Sequence, residues 1–199
     1  MEGKRDSEKL RVFVAIELPG EVKTEFADLV SEIDALGMRG VRTVRHNGVH
    51  LTLKFLGDVS VELIPKIQSA MDDVASQTAP FDLSLGDAGV FPNPSAARVL
   101  WVGVAGDFER LNRLRQDVER NMSDLGFRRE RRRFNPHITA GRIRDNVSRP
   151  DRKRVTDTLL SHEYARPPIR VESVSLIQSV LRPDGAIYEP IYTVRLAGN

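Results

Sequence analysis

Apolar positions recur along the chain in two alternating rhythms, one of period two and one of helical spacing. Residues 11–18 (R-V-F-V-A-I-E-L) form a β-branched and aromatic run that Pro19-Gly20 stops, which predicts a buried strand. From Glu21 onward Val22, Phe26, Leu29, Val30, Ile33 and Leu36 return at helical spacing until Gly37 and Gly40, as in an amphipathic helix. A short strand over 41–45 and a turn at Asn47-Gly48 lead into a second strand at 49–56, closed by Gly57-Asp58. Residues 60–78 read as a helix capped by Asp58 or Ser60, with Leu63, Ile64, Ile67, Ala70, Met71 and Val74 on one face and Pro65 near its first turn. Two strands at 81–91 and 98–104, separated by Pro92-Asn93-Pro94, predict a wide hairpin. A helix then runs from about Asp107 to Leu125 and ends at Gly126. Further on come a strand around 135–142, a helix from Ser148 or Asp151 to Ser161, a strand over 169–181, a turn at Pro183-Asp184-Gly185 and a last strand over 186–196. The first ten residues are polar and are expected to form a flexible tail, with 11–199 as a single bilobal domain.

The order strand, helix, strand, helix, strand occurs twice. Phe13 precedes His50 by 37 residues and Trp101 precedes His137 by 36, while the next strand begins 31 residues after the first histidine and 32 after the second. Such a duplication predicts an α+β fold of two pseudo-twofold halves, its two antiparallel-rich sheets lining a central groove with the helices outside.

Composition narrows the setting. The chain has 199 residues, 40% of them apolar, which is enough for a sizeable core, and no cysteine, which excludes disulfides and thiolate metal sites. No apolar run approaches the roughly 20 residues of a bilayer span, and the charged N-terminus is unlike a signal peptide, so a cytoplasmic protein without membrane association is expected. Net charge is only +2, but Arg128, Arg129, Arg131, Arg132 and Arg133 crowd one segment that would attract phosphate.

The two central strands each break their apolar alternation with a histidine and a threonine two residues apart: His50 and Thr52 in V-H-L-T-L-K-F-L-G, His137 and Thr139 in N-P-H-I-T-A-G-R. In a strand, residues i and i+2 share a face, so each copy presents an imidazole beside a hydroxyl while Leu51, Leu53 and Phe55, or Ile138 and Ala140, face the other way. Imidazole titrates near neutrality, so two of them on opposite sides of a phosphorus centre can act as base and acid in an in-line displacement. The hydroxyls can donate to non-bridging oxygens as charge accumulates. A metal site is the poorer reading, since only His46 and His162 remain, neither pair has clustered carboxylates beside it, and both read as surface residues; no cofactor is expected. By alternation Lys54 shares the face of His50 and Thr52, whereas Arg142 reaches the site only if a bulge intervenes. Tyr188 and Phe55 are candidates for stacking a base, although core positions suit such aromatics better.

These blocks, together with R-V-F-V-A-I-E-L at the start and S-L-I-Q-S-V-L-R-P-D-G-A-I-Y at 175–188, make the chain resemble the 2H phosphoesterase superfamily from residue 11 to 196. Within it the chain is similar to the RNA 2′,3′-cyclic phosphodiesterases historically called 2′-5′ RNA ligases. The resemblance implies hydrolysis of cyclic RNA ends to 2′-phosphates, with His50 as proton donor, His137 as proton acceptor and Thr52 and Thr139 holding the phosphoryl oxygens. Lys54, Arg142 and Tyr188 remain the candidates for substrate contact. Ala140-Gly141 departs from the larger residue and alanine usual there, which would widen the groove floor or admit close backbone. RNA carrying a 2′,3′-cyclic end, tRNA fragments included, is the expected partner, and no obligate protein partner is implied. Two alternatives stand beside hydrolysis: the reverse 2′-5′ joining of a cyclic end to a 5′-hydroxyl, and a module that binds RNA ends without turnover.

Overall fold

In the computed structural model, which describes residues 8–45, 48–182 and 185–198, strand β1 spans Lys9–Glu17 and so takes in two residues that the sequence assigns to the tail. The element order continues α1 (Gly20–Ala35), β2 (Val41–Thr43), β3 (His50–Ser60), α2 (Ile64–Ser76), β4 (Phe81–Phe91) and β5 (Val99–Gly106). It closes with α3 (Phe108–Asp124), β6 (His137–Ile143), α4 (Arg149–Ser161), β7 (Pro168–Val171), β8 (Ser173–Arg182) and β9 (Gly185–Arg195). The predicted 60–78 helix opens as a 3₁₀ turn at Val61–Leu63, because Pro65 fits only the first turn of α2. Asp107 caps α3 by accepting from the Arg110 amide, and Ser148 caps α4 by accepting from the Asp151 amide. The turn around Pro183-Asp184 and residue Asn47 lie outside the described residues.

The strands form two antiparallel sheets, ordered β3-β1-β8-β9 and β2-β6-β5-β4-β7. Each contains one histidine strand, β3 or β6, as the duplication requires. The halves nevertheless exchange elements: β2 pairs with β6 and β4 with β5, while β8, carrying β9, pairs with β1, so each half donates two strands to the other's sheet. Helices follow suit, with α3 packed on β3 and α1 on β6. The single strand expected over 169–181 divides at Glu172, where the chain leaves one sheet for the other. Burial changes with it, from alternation at Ile169 and Val171 to an unbroken buried run from Val174 to Ile177.

Phe26, Leu29 and Ile33 of α1, Ile67 and Met71 of α2, Leu111, Leu114 and Val118 of α3 and Val155 and Leu159 of α4 are fully enclosed against the sheets. Burial of such side chains stabilises by about 1.5–3 kcal/mol each, before the entropy of ordering them is subtracted. The helices thus cover the outer sheet faces and leave the histidine strands to line the space between.

Candidate active site

Strands β3 and β6 approach one another, and His50, Thr52, His137 and Thr139 line one groove of about 600 Å³. Both imidazoles are anchored alike. His50 Nδ1 lies 2.7 Å from the Gly48 carbonyl oxygen, and His137 Nδ1 lies 2.7 Å from that of Asn135. A carbonyl only accepts, so each Nδ1 carries hydrogen and Nε2 is left as the nitrogen that can take or give a proton. One backbone habit, the i−2 carbonyl at the strand entrance, therefore sets the tautomer in both halves.

Aromatic rings surround each histidine. His50 packs on Phe13 at 4.6 Å between centroids and meets the Tyr188 ring edgewise at 4.8 Å. His137 meets Phe91 at 5.1 Å and Trp101 at 6.2 Å, both in T-shaped geometry. Burial lowers the His50 pKa from its ordinary value, opposed by the Gly48 hydrogen bond and by the charge of Glu17 on the neighbouring strand.

Both histidine strands are bulged immediately after the threonine. Opposite β1, Ala15 pairs with Thr52 and Val14 with Lys54, so Leu53 is an extra residue; opposite β5, Trp101 pairs with Thr139 and Leu100 with Gly141, so Ala140 is extra. A bulge inverts the facing of everything beyond it. Arg142 is thereby brought into the groove, as is Phe55, which is 68% exposed and lies against Phe13, contrary to its expected core position. Lys54 goes the other way. It is 5% exposed and donates to Glu119 Oε1 at 2.6 Å and to the Arg128 carbonyl at 3.0 Å, so it is a buried structural cation outside the groove.

Tyr188 lines the groove, like Phe55 and unlike the core position favoured for both. The segment 128–133 does not; its backbone is tied to Lys54 and, through the Glu130 amide, to Glu119. Positive charge in the groove comes instead from Arg11, Arg42, Arg45 and Arg142. Arg42 stands opposite Arg142 in the β2–β6 pair, where a side chain at Gly141 would come within 3.1 Å of the Arg42 carbonyl oxygen. Ala140 and Gly141 therefore do not widen the groove floor; Gly141 admits the β2 backbone. Arg42 belongs to no motif and Arg11 opens the R-V-F-V-A-I-E-L block with no role attached to it; only the odd-numbered alternation of Arg11 with Phe13 hints at a common face. His162 is not a surface residue, since its side chain is 6% exposed and bonded to Glu32, while His46 lies outside the described residues. Among the described residues, no group of three or more His, Asp or Glu side chains is arranged to hold a metal ion.

Register also revises the match between the halves. Trp101, opposite Thr139, corresponds to Ala15, opposite Thr52, and not to Phe13. Comparison with known proteins gives the same division: residues 16–101 and 102–188 match in turn the family LigT like Phosphoesterase. The RNA 2′,3′-cyclic phosphodiesterase of Archaeoglobus fulgidus is 32% identical over 182 residues, covering 92% of this chain and 98% of that protein. A crystal structure from Thermus thermophilus superposes with a TM-score of 0.73 at 26% identity, over 95% of this chain and 99% of that one. E. coli LigT complexed with 3′-AMP superposes with a TM-score of 0.68 at 26% identity and the same coverage.

Proposed function

The chain belongs to the LigT-like phosphoesterase family, and from that premise we propose that it hydrolyses the 2′,3′-cyclic phosphate at RNA 3′ ends to a 2′-phosphate by acid–base catalysis between His50 and His137. The observation that carries this reading is the pair of imidazoles in one groove, each with Nδ1 tied to the backbone and Nε2 free to exchange a proton. Its relatives' description as RNA 2′,3′-cyclic phosphodiesterases supports the substrate.

In the proposed reaction, neutral His137 takes a proton from water at Nε2 as the water oxygen bonds to phosphorus. The bond from phosphorus to the 3′-oxygen breaks, and protonated His50 gives its Nε2 proton to that oxygen. Proton exchange with solvent then resets both rings. Thr52 and Thr139 donate to the non-bridging oxygens, while Arg142, Arg42 and Arg11 offset the growing negative charge. A module that merely bound RNA ends would have no use for two identically oriented imidazoles.

His50→Ala and His137→Ala should each slow hydrolysis of a cyclic-ended oligonucleotide by about 10²–10⁴-fold, the usual worth of a positioned acid or base. Chelator should leave the rate unchanged. Wild-type activity in either variant, or loss of activity with chelator, would overturn the proposal.

A further inference from the structure

The arginines at 128, 129 and 131–133 line no part of the groove, yet they concentrate the molecule's positive charge. Five arginines against the single Glu130 give residues 128–133 a net charge of +4, while the whole chain carries +2, so the remaining residues together are net negative. All five arginines are exposed. Among the described residues no carboxylate comes within ion-pair distance of their guanidinium groups; Arg129 Nε donates to the Ser123 hydroxyl, and the Glu130 carboxylate accepts from the Arg132 amide. The backbone, by contrast, is held at three points. Glu119, buried and paired with Arg115, accepts from the Glu130 amide at 2.9 Å, Lys54 donates to the Arg128 carbonyl at 3.0 Å, and the Arg115 guanidinium lies 5.4 Å from the Phe134 ring. Both ends of the segment are tied to strands that line the groove. Arg128 is bonded to Lys54, two residues beyond Thr52 in β3, and Arg133 is four residues from His137 at the start of β6, which limits the distance between their Cα atoms to about 14 Å.

We propose that residues 128–133 form a phosphate-binding surface for the RNA strand that leads into the groove, and that it engages internucleotide phosphates on the 5′ side of the cyclic end. The surface rests on the hydrolase reading above and adds to it the part of the RNA that is gripped beyond the reacting phosphate. A cyclic 3′ end leaves the strand one direction in which to continue. A groove of about 600 Å³ encloses a ligand of roughly one or two nucleotides, so the following phosphates lie on the protein surface outside it. Of the two clefts that share residues with the groove, one is lined by Asp34 beside Arg45 and the other by Asp87, and neither has a surplus of cations. The arginine segment has that surplus, on a backbone already fixed, so little ordering of the chain opposes binding. Exposed guanidinium groups meet successive phosphates without reading the bases, which makes the surface a selector of strand length and not of sequence. Its field also draws a polyanion toward the groove.

The test compares a 2′,3′-cyclic mononucleotide with a cyclic-ended hexanucleotide, each hydrolysed across a salt series by the wild-type protein and by the double variant Arg131→Gln, Arg133→Gln. Wild-type kcat/KM should be higher for the hexanucleotide and should fall more steeply with salt. The variant should lose about tenfold on the hexanucleotide at low salt. Its slope of log kcat/KM against log salt should flatten by about 1.4, two phosphates at about 0.7 each on a single strand. On the mononucleotide it should stay within about twofold of wild type, and Arg131→Lys with Arg133→Lys, which keeps the charge, should recover most of the loss on the hexanucleotide. Equal salt slopes for wild type and the glutamine variant would overturn the surface, as would a loss on the mononucleotide equal to that on the hexanucleotide. Fluorescence anisotropy of a labelled hexanucleotide ending in a 3′-hydroxyl, which cannot react, separates this surface from the chemistry. A protein that opens no cyclic phosphate but binds that strand more weakly in the glutamine variant would count against the hydrolase reading and leave the phosphate surface standing.

Discussion

Each imidazole of the groove has one nitrogen committed to the backbone, and that commitment decides what the other can do. At His50 the aromatic enclosure adds a second effect, because Phe13 and Tyr188 exclude the water that would stabilise imidazolium. A lowered pKa means that the empty enzyme loses the proton needed by a general acid at a lower pH than an ordinary imidazole would. A bound phosphodiester anion favours the charged ring and raises the pKa again. The alkaline limb of kcat/KM should therefore fall below the ordinary imidazole value, and that of kcat should lie at higher pH, because the first reports free enzyme and the second the complex. Pre-steady-state and steady-state rates across pH would check this; limbs that coincide, or a kcat/KM limb above the ordinary value, would contradict the donor role of His50. Arg142 belongs to the same scale. Its replacement by alanine should lower kcat/KM by about 10–100-fold, with lysine restoring only part, since a planar bidentate donor is replaced by a point charge.

At the scale of elements, the bulge after each threonine sorts the next residues into groove and core. It explains why strand type, the caps at Asp107 and Ser148 and the H-x-T pairs were legible in sequence while the facing of Lys54 and Phe55 was not; the cap expected from Asp58 or Ser60 is absent, since Asp58 lies within β3 and Ser60 makes no side-chain capping bond. Alternation is a reliable guide only as long as the ladder keeps step, and the extra residues Leu53 and Ala140 carry no distinguishing chemistry. Arg142 was the exception, since its role could be stated in advance as conditional on a bulge. Lys54, placed on the far side, joins Glu119 and Arg115 in an enclosed ion network reaching from β3 to α3. Lys54→Met should destabilise the protein by about 3 kcal/mol by leaving the Glu119 carboxylate short of its cation. Denaturant unfolding would measure the loss, and KM for cyclic-ended RNA in the folded variant should stay within about twofold of wild type. A large change in KM with stability unaffected would return Lys54 to the substrate.

The whole molecule is a duplication whose halves cannot be separated. The repeat itself shows in sequence spacing, but strand exchange does not, because β4 and β8 would read identically if they stayed with their own halves. Likewise the groove arginines come from β1, β2 and β6 and the segment after β2, and only the assembled sheets bring them together. Unfolding followed by Trp101 fluorescence, which sits in one sheet, and by far-UV circular dichroism should superimpose as one transition, and two separated transitions would show autonomous lobes.

The central claim, that two imidazoles serve one phosphorus from opposite sides, is tested most directly by stereochemistry. An oligonucleotide ending in a single diastereomer of a 2′,3′-cyclic phosphorothioate would be hydrolysed in oxygen-18 water and the configuration of the product determined. In-line attack assisted by His137 with departure assisted by His50 gives a 2′-phosphorothioate with inverted configuration at phosphorus. A product of retained configuration, or one bearing the group at the 3′ position, would contradict it.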